Sequence, residues 1–159
     1  MEYNLTTSIV LYKPKPDAFK TIESFLGVKS LKTFLYLIDN SLTNVFEESN
    51  KSLLKNENVK YIFIGKNLGY DAAHNVALKE ILNKSEYHLI INPDVHFEAA
   101  IIDKLYNYAL IHPEVGTYFQ KFYIPMEIFN MHVNSFPRRL IYFQDYYPPL
   151  YLKTMKNLS

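Results

Sequence analysis

Cysteine is absent from this 159-residue chain. That excludes disulfides, zinc–thiolate centres and cysteine nucleophiles, and it fits a cytoplasmic location. Tryptophan is absent as well, and glycine occurs only four times. No apolar run approaches the roughly 20 residues of a membrane-spanning helix, so no transmembrane segment is expected. Met1 to Thr7 is polar and carries no basic segment followed by an apolar stretch, so no signal peptide is expected either. An excess of one charge sign is also lacking: 17 basic and 16 acidic residues leave a net charge of +1. Nucleic-acid binding driven by phosphate neutralisation calls for a larger basic surplus and is not expected.

What is present suffices for one sizeable core. Hydrophobic residues make up 48% and charged residues 21% of the chain, which is globular rather than disordered composition. Aromatics reach 16%, with 14 Tyr and 11 Phe. The composition breaks part-way along. Gly27, Gly65, Gly69 and Gly116 all precede residue 117, whereas Arg138 and Arg139 both follow it. The later stretch also gathers Pro125, Pro137, Pro148 and Pro149 among many Tyr and Phe. A boundary near Gly116 is expected, with one unit over 1–116 and an aromatic-rich tail over 117–159.

The first unit alternates strand and helix signals. Ser8-Ile9-Val10-Leu11-Tyr12 reads as a buried strand stopped by Lys13-Pro14. Asp17 can cap a helix through Phe19, Ile22, Phe25 and Leu26, with Gly27 as its C-cap. Phe34 to Ile38 is a second strand. Phe46, Leu53 and Leu54 suggest a weak helix. Val59 to Ile64 is a third strand, and Asp71 to Leu82 a helix with Ala73, Val76, Ala77 and Ile81 on one face. Tyr87 to Ile91 is a fourth strand, followed by a helix from about Glu98 to Ile111. Near-continuous apolar strands alternating with helices predict an α/β, Rossmann-like, mostly parallel sheet covered on both faces. Ligands of such sheets bind outside the carboxyl ends of the strands.

Those ends are polar in a particular way. They read Tyr12-Lys13, Asp39-Asn40-Ser41, Lys66-Asn67-Leu68-Gly69 and Asn92-Pro93-Asp94. A tyrosine can stack on a base, and an aspartate can accept a hydrogen bond from a base N–H or a ribose hydroxyl. Asp94, followed by His96, can hold a hard divalent cation, which needs only one or two protein carboxylates when phosphates supply other ligands. Taken singly, each motif is also ordinary turn or capping chemistry. His74, His88, His96 and His112 lack metal-pair spacing and read as structural or exposed. No glycine-rich phosphate loop is present, and the first strand end lacks the acidic cluster of a receiver-like domain.

Taken in order, Ser8 to Tyr12, Leu37-Ile38-Asp39-Asn40-Ser41, Asn67-Leu68-Gly69 with Asn75, and Leu89 to Val95 resemble the N-terminal half of an inverting family 2 glycosyltransferase, in its rhamnosyltransferase-like branch. The resemblance covers roughly residues 5–116. It implies a GT-A fold whose first half binds a nucleoside diphosphate sugar, linked to dTDP, UDP or GDP. It places Tyr12 by the base with Asp39 hydrogen-bonded to it, Asn67 and Gly69 shaping the nucleotide pocket, and Asn75 on the following helix. Asn92-Pro93-Asp94 stands where the family has its Asp-x-Asp motif, so Asn92 would border the nucleotide and Asp94 would hold Mg2+ or Mn2+. Lys13 departs from the Asn often found after the tyrosine. The acceptor, a glycan or a lipid-linked molecule, and the catalytic base belong to the family's second half. Lipid-linked acceptors imply a place at the inner face of the membrane. Glu127 and Asp145 are the only acids after Glu114, and neither lies in the family's Glu-Asp motif, so no catalytic residue is assigned.

The tail carries a further signal. Back-translated and read in a shifted frame, Phe122 to Asn130 permits Leu-Tyr-Pro-Asn-Gly-Asn-Ile-Gln, a run typical of this family, and Met126-Glu127 forces its glycine. Residues 117–159 are therefore expected to be a frame-shifted, poorly specified tail that covers the sheet edge or promotes self-association. The competing functional class is a non-catalytic nucleotide-binding or protein-interaction module.

Overall fold

A computed structural model describes residues 1–81 and 84–112, and beyond them the backbone of three strands. In chain order the elements are β1 (Tyr3–Leu11), α1 (Pro16–Leu26), β2 (Thr33–Asp39), α2 (Val45–Ser49), α3 (Lys51–Leu54), β3 (Val59–Phe63), α4 (Tyr70–Glu80), β4 (Ser85–Ile91), α5 (Ala99–Ile111), β5 (Thr117–Lys121), β6 (Ile128–Met131) and β7 (Arg139–Gln144). The expected alternation is present, and the fold is α/β with a Rossmann-like sheet. Strand order is β3-β2-β1-β4-β7-β5-β6. β3, β2, β1 and β4 form an all-parallel core, β7 and β5 continue it in parallel, and β6 pairs antiparallel with β5.

The two faces are buried by different means. On one, Leu5, Ile9, Leu11, Leu35, Leu37, Leu89 and Ile91 pack with Ile22 and Phe25 of α1 and Ile102 and Leu105 of α5. On the other, Val10, Tyr36 and Ile38 meet Ala73 and Ala77 of α4. Small residues on that helix leave room for the fully buried Tyr36 ring. Register brings the strand ends level: Leu11 pairs with Asp39, Asp39 with Phe63, and Ile9 with Ile91. The residues that follow each strand therefore share one edge.

Several boundaries differ from expectation. β1 begins at Tyr3 rather than Ser8. Thr6 and Ser8 are buried polar residues held by side chains of β4 and α4, so their polarity does not bar them from a central strand. The cap of α1 is Lys15, with Pro16 in the first turn and Asp17 just inside it. Pro needs no hydrogen-bond partner there, and Asp17 complements the positive helix end without capping it. Gly27 closes that helix in the right-handed region, φ −68°, its N–H donating to Glu23 O at 2.9 Å; no left-handed cap is made. The weak helix resolves into two short ones, α2 and α3. The helix expected at Asp71–Leu82 starts one residue earlier and is described to Glu80. Past Ile111 no elements were expected, and three strands lie there. Tyr118, Phe119, Ile141, Tyr142 and Phe143 are strong strand formers; the free side of β4 offers β7 a backbone template, and β7 in turn offers one to β5. Gly116, Glu127 and Asp145 fall outside the described residues, as do the prolines of the tail. No described helix is long and apolar enough to cross a membrane.

Candidate functional site

The carboxyl edge of the sheet is stitched by side chains, each reaching from one strand end to the next. Lys13, just after β1, donates its backbone N–H to Ser41 Oγ, just after β2, at 2.9 Å. Asn40 Nδ2 donates to Gly69 O, in the turn after β3, at 3.0 Å. Tyr70, the first residue of α4, donates its hydroxyl to Asn92 Oδ1, just after β4, at 2.6 Å. Thr21 of α1 closes the series with a 2.8 Å bond to Pro93 O. Backbone bonds already join neighbouring strand ends, Asn40 N–H to Leu11 O at 2.8 Å and Ile64 N–H to Asp39 O at 2.9 Å, and the side chains tie four strand ends into one rim.

Backbone geometry at the rim is demanding in two places. Lys13 has φ +46°, the left-handed region a non-glycine residue enters at a cost. Gly69 has φ +82° and ψ 170°, a conformation close to glycine-only. Its N–H is met by Asn67 Oδ1 at 2.9 Å, an Asx turn that leads the chain into α4.

Asp39 is the most enclosed member. It is fully buried. Its Oδ1 accepts from the Ser41 N–H at 2.8 Å and its Oδ2 from the Tyr61 hydroxyl at 2.7 Å. Burial, then the hydrogen bond and charge of Asp39, push the Tyr61 phenol well above its ordinary value, so the phenol keeps its proton and stays a donor. Tyr61 stacks on Phe46 (5.7 Å between centroids, 16°), and Phe46 stacks on Phe19 (5.5 Å, 17°). A depression of about 520 Å³ opens beside this stack, with Lys13, Ser41, Val45 and Phe46 in its wall. A larger hollow of about 630 Å³ lies at the opposite, amino-terminal edge near Met1, Lys32 and Tyr106, away from the stitched rim.

The other expected site residues are placed as follows. Tyr12 projects from the end of β1 and is 46% exposed, so a ring face is open to stacking. Asn67 is exposed and Asn92 half-buried. Asp94 is exposed, at the mouth of the rim. Asn75 lies on the exposed surface of α4, roughly one and a half turns past its start, apart from the stitched residues. His96 Nε2 lies 3.7 Å from Asp17 Oδ1. Among the described residues no group of three or more His, Asp or Glu is arranged to hold a metal. Asp94 alone suits a hard cation only where a diphosphate supplies the remaining oxygens.

Reading strand ends overlooked Tyr61 and Tyr70, which hold Asp39 and Asn92. A signal for Tyr61 existed. Leu37 pairs with Tyr61 and Asp39 with Phe63, so period-2 alternation puts Tyr61 on the face of Asp39.

Beneath the rim lies a polar chain inside the sheet. His74 Nδ1 bonds Ser8 Oγ at 2.7 Å, Ser8 bonds His88 Nε2 at 2.8 Å, His88 Nδ1 bonds Thr6 Oγ1 at 2.9 Å, and Thr6 bonds Ser85 Oγ at 2.7 Å. Both histidines are buried, in accord with the structural reading of them. Burial pushes His74 down to about 3, and burial together with the neighbouring His74 pushes His88 down to about 3. Ser85 Oγ donates onward to Tyr87 O at 2.9 Å, and His74 Nε2 has no partner. The direction follows: His74 donates through Nδ1 and each hydroxyl passes the sense along. The group left over is then an unpaired lone pair, which costs less than a buried unpaired N–H.

No family model and no curated protein matches the chain. Among solved structures it is similar to S. aureus TarS, with a TM-score of 0.60 and 16% sequence identity, over 77% of this chain and 22% of that one. The two share a fold. The chain spans about a fifth of the length of the TarS chain it matches, and at that identity the likeness bears on architecture alone.

Proposed function

We propose that this chain is the donor-binding half of a glycosyltransferase, taking a nucleoside diphosphate sugar at the carboxyl edge of β1 to β4. The observation that carries the reading is the stitched rim. The four motifs that resemble family 2 glycosyltransferases are bound to one another there by Lys13–Ser41, Asn40–Gly69 and Tyr70–Asn92 bonds. Turn chemistry alone would not require bonds between successive strand ends. Tyr12 offers its ring to the base, while Asn67 and Gly69 shape the pocket and Lys13 and Lys66 supply positive charge near it. Asp94 would hold Mg2+ or Mn2+, which neutralises a diphosphate leaving group when bound. The donor is dTDP-, UDP- or GDP-linked, and the acceptor is a glycan or lipid-linked molecule in the manner of the rhamnosyltransferase-like branch.

Calorimetric titration of UDP, dTDP and GDP, each with and without Mn2+, tests this. One nucleotide is expected to bind, at least about tenfold more tightly with Mn2+. Asp94→Asn should abolish the gain from Mn2+ and leave metal-free binding nearly unchanged. Absence of binding by all three nucleotides would favour the interaction-module reading instead.

A further inference from the structure

The Asp39 carboxylate is sealed from solvent with one protein donor on each oxygen. The Ser41 N–H is two residues away in the same turn, so any conformation of that turn nearly supplies it. The Tyr61 hydroxyl comes from another strand, 22 residues along the chain, and only tertiary packing brings it there. We infer that Tyr61 is a positioning residue for the donor site: its hydroxyl fixes the Asp39 carboxylate and, through it, the Asn40-Ser41 turn. This assignment rests on the donor-site reading above.

The route from Tyr61 to the rim is short. Asp39 Oδ1 holds the Ser41 N–H, Ser41 Oγ holds Lys13, and Asn40 Nδ2 holds Gly69. Were the hydroxyl removed, Oδ2 would be a buried carboxylate oxygen without a protein donor. A buried charged acceptor without a partner is costly, and rotation of the carboxylate toward another donor relieves it. That rotation pulls on Ser41 and Asn40, the residues through which the ends of β1 and β3 are tied to β2. The phenol is well held for the task. Its ring is stacked on Phe46, which is stacked on Phe19, so the packing of α1 and α2 against β3 fixes where the hydroxyl points. The raised phenol keeps its proton, and hence its role as donor, across the neutral range.

The test compares two substitutions that each delete one hydrogen-bonded tyrosine hydroxyl. Tyr61→Phe removes the bond to Asp39 Oδ2 and the 2.8 Å contact with Asn44 Oδ1. Tyr87→Phe removes a bond to Ala109 O, 3.0 Å long, four residues short of the carboxyl end of β4. Both are melted, and both are titrated with UDP and Mn2+ well below their melting temperatures, using dTDP or GDP if the wild-type chain prefers them. Both are expected to lose a few degrees of Tm. Tyr61→Phe alone should weaken nucleotide binding by about tenfold or more, with Tyr87→Phe within twofold of wild type. Amide resonances of Ser41 and Gly69 should move in Tyr61→Phe and stay in place in Tyr87→Phe. Wild-type affinity in a folded Tyr61→Phe, or equal losses of affinity in both variants, overturns the assignment and leaves the donor-site reading standing. A wild-type chain that binds none of the nucleotides overturns both.

Discussion

Asp39→Ala is expected to lose nucleotide binding and to destabilise the chain by about 1–3 kcal/mol. The carboxylate is fully buried between the Ser41 N–H and the Tyr61 hydroxyl. Alanine leaves the buried Ser41 N–H unpaired, at a cost of about 1–3 kcal/mol, leaves the half-buried Tyr61 hydroxyl only Asn44 Oδ1, at 2.8 Å, as acceptor, and removes the post around which the Asn40-Ser41 turn is wound. Asp39→Asn separates the charge from the shape. Its amide oxygen still accepts from Ser41, and its NH2 can donate to the Tyr61 oxygen, so the stability loss should be about 1 kcal/mol. Urea denaturation of the three proteins side by side is the measurement. An alanine variant within about 0.5 kcal/mol of wild type would show that Asp39 does not organise the turn.

The second large effect is acid sensitivity. In the folded chain His74 and His88 are held neutral, with values down to about 3, whereas in the unfolded chain each titrates near 6.5. Between those limits the unfolded state binds more protons than the native one, so stability rises with pH and is lost as pH falls from about 6.5 toward 3. The slope approaches about 1.4 kcal/mol per pH unit for each histidine. With both contributing, two to three units of acidification remove about 5–8 kcal/mol, comparable to the whole stability of a domain this size. Unfolding is therefore expected near pH 4. Urea midpoints measured at unit steps from pH 7 to 4 give the slope, and it should fall by about half in His74→Gln or His88→Gln. An undiminished slope in both variants would assign the acid transition to carboxylates instead.

The same histidines mark where the sequence stops being legible. The strands read correctly are those whose burial is written locally. Phe34 to Ile38 is an unbroken apolar run and Tyr87 to Ile91 one interrupted only by His88, and the alternation of such runs with helices dictates a parallel sheet. Tyr3 to Thr7 lacks the apolar run that marks a buried strand, because the partners that satisfy Thr6 are Ser85 and His88, about 80 residues away. A buried hydroxyl is recognisable only once its partner is placed. The candidate site shows the same division. Tyr12, Asp39, Asn67 and Asn92 could be picked out because they end strands, and the level register of β1 to β4 puts them on one rim. Asn75 was carried by resemblance alone and lies apart on α4. Tyr61 and Tyr70 were not singled out, since nothing local distinguishes a phenol that packs from one that holds a carboxylate or an amide.

The strand order also sets a sequence of events in time. β5 does not touch β4; β7 lies between them. A nascent chain can assemble β3-β2-β1-β4 as soon as β4 has been synthesised, whereas β5 must wait for Arg139–Gln144, some twenty residues further on, before its place exists. The hairpin-like pair of β5 and β6 therefore docks as the last event, on an already formed parallel core. Pulse-labelled hydrogen exchange during refolding should protect amides of β1 and β2 before those of β5, and simultaneous protection would contradict that order. Assembly thus has a direction, from the central strands outward to the β5–β6 flank, with a period in which one side of the sheet stands open.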